Sequence, residues 1–137
     1  MLPLDRLCQN SNLMKLFAVR GAISVESNTR DAILKATERM MSELLMSNQL
    51  NHDQLVSCIF TVTDDLDAEF PAVAARQLGI TQVPLLCTQE IPVRNAPKGI
   101  IRVLIHYYAP AEHTPQPAYL DKAKTLRLDL AEESGQG

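Results

Sequence analysis

The chain has 137 residues, 46% of them apolar and 21% charged, with a net charge of −3. That is the composition of one globular domain with a real core. With no basic run and no interleaved aromatics, nothing in it calls for nucleic acid. No apolar stretch reaches the length of a membrane span. The N-terminus lacks the basic start and apolar run of a signal peptide, so a soluble cytoplasmic protein is expected. Its three cysteines, Cys8, Cys58 and Cys87, are odd in number and form no C-x-x-C pair. That fits a reducing compartment better than a disulfide framework or a zinc site.

Residues 1–13 hold Pro3 and a polar Gln-Asn-Ser-Asn stretch without a clear period. They are expected to be a flexible N-terminal extension, with the domain proper over 14–130. Residues 15–25 read as the first strand. Arg20-Gly21 interrupts it, and a glycine there marks a bulge or a close backbone approach. Asn28 or Thr29 then caps a helix over 29–48, with Ile33, Thr37, Met40, Met41, Leu44 and Leu45 at helical spacing. Its three methionines are expected to fill gaps in the core. Asn51 opens a short helical turn.

Leu55–Thr63 is the next strand, with Cys58 as an inert core thiol. The acids Asp64, Asp65, Asp67 and Glu69 follow. They lack the glycine turn and distal glutamate of a calcium loop and read as loop and helix-start charges. A second helix covers 69–78, with Pro71 in its first turn and Gly79 as its stop. Val83–Thr88 is a third strand, and Ile91–Lys98, with Pro92 and Pro97, is a loop.

Residues 99–108 form the strand on which the others are arranged. Ile101, Val103, Ile105 and Tyr107 share one face, and Ile100, Arg102, Leu104 and His106 share the other. Both faces are largely apolar, so cover on both sides is expected. Ala118–Lys124 reads as a short helix, 125–130 as an extended or turn segment, and 131–137 as a mobile tail. The order β-α-β-α-β-β-α implies an α+β fold, a mixed sheet with helices packed on one face. A second subunit is the simplest cover for the other face, so a homo-oligomer is expected.

Phosphate loops, nucleophile elbows and zinc-helix motifs are absent. What stands out is a set of arginines on or beside apolar elements: Arg20, Arg76, Arg102 and Arg127. An unpartnered buried guanidinium costs on the order of several kcal/mol. Two readings stay open. The arginines pair with Asp65, Glu69 or Glu90, or they converge on a pocket for a polyanionic small molecule, to which their donor forks are suited.

Several segments together resemble one family. Val-Arg-Gly-Ala-Ile-Ser-Val-Glu (19–26), Thr-Asp-Asp-Leu-Asp-Ala-Glu-Phe-Pro-Ala (63–72), Val-Pro-Leu-Leu-Cys-Thr-Gln-Glu (83–90), Ile-Arg-Val-Leu (101–104) and Tyr-Leu-Asp-Lys-Ala (119–123) are similar, in order and spacing, to the small α/β, AroH-class chorismate mutases. The resemblance implies a homotrimer with a barrel-like core and active sites at subunit interfaces. It implies isomerisation of chorismate to prephenate, the branch step toward phenylalanine and tyrosine, with no cofactor and no metal.

It also implies roles for individual residues. Arg102 would face the ether oxygen and the side-chain carboxylate, which Arg20 and Tyr119 would also hold. Glu90 and Cys87 would take the ring hydroxyl, with the backbone of Leu86, Thr88 and Gln89 lining the ring. Phe70, Ala72 and Leu126 would be apolar walls, and Arg76 and Arg127 would stand at the mouth. Val73 and Leu86 depart from the family pattern, in place of a basic and a hydroxyl residue. The competing readings are a non-catalytic trimeric sensor of small carboxylates and an enamine or imine deaminase on a similar scaffold.

Overall fold

The structure, a computed structural model, describes residues 13–126. The expected C-terminal tail, Arg127 and all of the expected N-terminal extension except Leu13 lie outside the described residues. The elements are β1 (Met14–Ser24), α1 (Arg30–Ser47), β2 (Leu55–Val62), α2 (Pro71–Gln77), β3 (Leu85–Gln89), β4 (Ile100–Pro110) and β5 (Ala118–Leu120). Short 3-10 turns occupy His52–Gln54 and Asp121–Ala123. One sheet contains all five strands in the order β3-β2-β4-β1-β5. β4 is antiparallel to both β1 and β2, while β3 and β5 join as parallel edges. The mixed sheet and α+β class are those expected from the sequence.

Residue alternation on β4 decides where the core lies. Ile101, Val103, Ile105 and Tyr107 are each at most 2% exposed. They join Val19, Ile23 and Phe60 from neighbouring strands and Ile33, Met40, Met41 and Leu44 from α1. Full burial of each such side chain is worth about 1.5–3 kcal/mol. Ala72 and Ala75 bring α2 onto the same core, so both helices cover one face.

Thr29 is the cap of α1, its side chain accepting from the Ala32 N–H at 3.2 Å. Asn28 does something else. Its side-chain oxygen accepts from the N–H groups of Asp67 and Ala68, both at 3.0 Å, and ties the acidic loop to the start of α1. Met40 and Met41 fill the core as expected, but Met46 is 74% exposed and does not.

Gly21 is a close approach and not a bulge. The β1–β4 register runs without interruption from Met14↔Pro110 to Ser24↔Ile100. A Cβ at Gly21 would sit 2.6 Å from Leu44 Cδ1 and 3.3 Å from Met40 Cγ. α1 therefore rests directly on the β1 backbone beside Arg20.

One expectation is corrected. The helix read over Ala118–Lys124 is instead β5 followed by a 3-10 turn. Ala118 and Leu120 pack toward the core while Tyr119 joins Ala22 and Ile100 on the other face. Three residues are too few for that alternation to show in sequence. Asp121, at φ +55°, then turns the chain out of the strand, with its N-terminal neighbour still extended. As expected, helices protect only one face of β4. On the other, Leu16 and Leu86 are 51% and 60% exposed, and Arg102, Leu104 and His106 are half-buried.

Gly21→Ala is expected to cost about 1–3 kcal/mol by overpacking against Leu44 and Met40. Chemical denaturation of the two proteins measures it; an unchanged midpoint would contradict the close packing described here.

Candidate active site

Strand pairing brings the conspicuous arginines together. Across β3, β2, β4, β1 and β5 one row of the open face reads Thr88, Thr61, Arg102, Ala22, Tyr119. The next row reads Leu86, Ile59, Leu104, Arg20. Arg20 and Arg102 are thus diagonal neighbours on adjacent strands, about 7–8 Å apart at Cα. Arg20 is exposed and Arg102 half-buried, so both guanidiniums belong to the same open face.

Glu90 supplies one anion. It leaves the end of β3 with its N–H bonded to the Val62 carbonyl at 2.8 Å. Its Oε2 accepts from Arg102 Nη1 at 3.3 Å and from the Thr61 hydroxyl at 3.1 Å. Of the carboxylates proposed as arginine partners, Glu90 pairs with Arg102, whereas Glu69 pairs with Arg30 at 2.9 Å. No salt bridge forms at Arg20 among the described residues. Arg20, Thr61, Glu90 and Arg102 line a cavity of about 230 Å³ with Ile59 and Leu104. Glu90 and Arg102 also line a second cavity of about 250 Å³, walled by the proline-containing loop with Arg94 and Lys98.

The start of β4 is anchored from the acidic loop. Thr63 Oγ1 accepts from the Ile100 N–H at 3.1 Å, and Asp65 Oδ1 accepts from the Gly99 N–H at 3.2 Å. Gly99 has φ +66°, a conformation that favours glycine. Partial burial pushes the Asp65 carboxyl up. Hydrogen bonds from Thr63 and the backbone, with the nearby Lys98, outweigh this and hold it below the ordinary value.

Other site candidates lie elsewhere. Tyr119 is 8% exposed and packs with Ala22, Ile100 and Ala123, and Leu126 rests against this cluster. Cys87 points to the opposite face of β3 from Leu86 and Thr88. It lines a cavity of about 380 Å³ with Phe70, Thr88 and Gln89. Burial pushes its thiol up, against the opposing pull of the Ala72 N–H and the Arg76 guanidinium, so it is neutral at ordinary pH. Phe70 is 65% exposed before α2, and Arg76 is exposed in its last turn. Ala72 is a core residue, 4% exposed. Cys58 is buried, its thiol pushed up to about 11.

The structure therefore joins Arg20, Arg102 and Glu90 in one cavity and Phe70, Cys87, Thr88 and Gln89 in another. Thr61 was not among the sequence candidates. Its only sequence signal is a hydroxyl in an apolar strand, and the register that sets it opposite Arg102 is tertiary.

Residues 16–130 match the family model for chorismate mutase type I. The chain belongs to that family. It is 43% identical over 123 residues to chorismate mutase AroH of Thermus thermophilus, covering 86% of this chain and 97% of that one. Identity to chorismate mutase AroH of Bacillus subtilis is 33% over 120 residues, covering 86% and 94%. The fold is similar to that of a chorismate mutase from Clostridium thermocellum, with a TM-score of 0.76 at 40% identity, covering 80% of this chain and 98% of that one. The family expected from the sequence motifs is the one found, and with it an isomerase activity on chorismate. Among the described residues no helix is long and apolar enough to cross a membrane.

The lowered pKa of Asp65 carries a prediction. A carboxyl depressed in the folded state adds stability that is present above its unfolded pKa of about 3.9 and is lost as pH falls through the folded value. Asp65→Asn should therefore be less stable than the wild type at neutral pH, with the gap closing below about pH 4. Thermal melts across that range check it. A gap independent of pH would show that the charge contributes nothing.

Proposed function

We propose that the chain rearranges chorismate to prephenate by fixing the folded substrate and placing the Arg102 cation at its ether oxygen, in sites shared between subunits of a cytoplasmic homotrimer. The catalytic domain is residues 14–130, which the family match over 16–130 supports. The observation that carries the reading is the pair of guanidiniums on one open sheet face with a single carboxylate for company. A dianionic substrate would supply the missing negative charge.

Chorismate carries two carboxylates, a ring hydroxyl and an enolpyruvyl ether. Its rearrangement is intramolecular: the ether C–O bond breaks as a C–C bond forms, and no atom is exchanged with the protein. The chemistry asks for no nucleophile, metal or cofactor. Two contributions remain. Arg20, Tyr119 and Arg102 hold the side-chain carboxylate and so keep the arm folded over the ring. Negative charge grows on the ether oxygen as its bond breaks. A fixed cation there binds the transition state more tightly than the ground state, which accelerates the step. Glu90 accepts from the ring hydroxyl, with neutral Cys87 beside it. Leu86, Thr88, Gln89, Phe70 and Leu126 enclose the ring, and Arg76 attracts the dianion at the mouth.

Support for the trimer is of two kinds. The open face exposes Leu16, Leu86 and Tyr108, which a neighbouring subunit would cover. The candidate residues also divide between two cavities of one chain. The Arg20–Glu90–Arg102 half of one subunit would be completed by the Phe70–Arg76–Cys87 half of the next.

Loss of chorismate absorbance on adding protein tests the activity. Arg102→Ala should lower kcat/KM by roughly 10²–10³-fold or more with unchanged circular dichroism. Arg102→Lys should also be impaired, because an ammonium lacks the guanidinium fork. Tight binding of a chorismate analogue without turnover would favour the sensor reading. For the shared site, Arg102→Ala and Arg76→Ala chains refolded together should regain activity that neither has alone. No gain in mixtures shown to exchange subunits would place each site within one chain.

A further inference from the structure

We propose that Thr61 is a positioning residue that holds Glu90 as a single-oxygen partner of Arg102, keeping the rest of the guanidinium for the substrate. The inference rests on the mutase reading above and adds to it a residue that acts through Glu90. Glu90 and Arg102 meet through one oxygen and one nitrogen only, Oε2 and Nη1, at 3.3 Å. Arginine and a carboxylate left to themselves favour two parallel bonds, both oxygens meeting the fork. Here the Thr61 hydroxyl donates to the same Oε2 at 3.1 Å. That second donor ties the Oε2 oxygen to β2. Oε1 has no hydrogen-bond partner among the described residues and is left to accept from the substrate.

The backbone gives Thr61 the rigidity for this task. It lies on β2, between β3 and β4, with Arg102 and Thr88 as its cross-strand partners. A β-branched side chain on a paired strand has few χ1 choices, so its hydroxyl stays where the strand aims it. Glu90 sits just beyond β3, and among the described residues one backbone bond, from its N–H to the Val62 carbonyl, fixes it. Without the hydroxyl, the carboxylate is free to turn into a two-point pair with Arg102. That pair would neutralise the cation where the ether oxygen needs it and use up the oxygen meant for the ring hydroxyl.

The test is a set of substitutions assayed on chorismate. Thr61→Val keeps the shape and removes the donor; Thr61→Ser keeps the donor. Thr61→Val should lower kcat about tenfold or more, in line with the worth of a hydrogen bond to a charged group. Thr61→Ser should stay within about twofold of the wild type. In a Glu90→Ala background, where nothing is left to position, Thr61→Val should have no further effect. Wild-type kcat in Thr61→Val, or an equal loss with and without Glu90, would overturn the inference while leaving the mutase reading intact. No turnover by the wild-type protein would overturn both. If Thr61→Val fails to fold, failure of Thr61→Ser to restore activity in soluble protein of native circular dichroism also counts against it.

Discussion

Two guanidiniums stand on adjacent strands of one sheet face, and the described residues offer them a single carboxylate. The arrangement leaves positive charge in excess on a face whose geometry the backbone fixes. Arg102 sits on the central strand, paired on both sides. Arg20 sits on β1, whose backbone is pressed by α1 at Gly21. Neither strand can rotate without turning its apolar residues out of the core, so an anion that binds beside the pair meets positive charge already in place.

The remainder of the fold keeps that geometry stiff. Both helices lie on one face, so the core is dense behind the arginines while the front stays open. Asn28 ties the acidic loop to α1, and that loop in turn holds the first residues of β4 through Thr63 and Asp65. A chain of short hydrogen bonds thus links the start of a helix to the strand that carries Arg102. These bonds are polar and mostly at the surface. Their worth lies in fixing position more than in adding net stability.

Local signals in the sequence were sufficient for the long elements. β1, α1, β2, α2 and β4 are where periodicity, the Thr29 cap and Gly79 indicate, within a residue or two. The two alternating faces of β4 were legible for the same reason: a period of two over eight residues is unambiguous. Pairing was not. That Arg20 lies diagonal to Arg102 depends on a register between segments some eighty residues apart, which neither segment encodes by itself. Thr61 was invisible for the same reason. β5 was missed because three residues carry too little pattern.

That short edge has a consequence for the lifetime of the site. β5 pairs with β1 over three residues, beyond which the chain is turned out by Asp121. It is secured by bonds outside the ladder: Asn48 to Gln116 in both directions at 2.7 and 2.9 Å, Lys122 N–H to Ser24 Oγ at 3.0 Å and Arg39 to Asp121 at 2.7 Å. Short, peripheral pairing opens more readily than a full ladder, so amides here exchange through local fluctuation and those of β4 only when the whole sheet comes apart. Arg20 and Arg102 are therefore as permanent as the fold. Tyr119, on the short edge strand, is held less firmly.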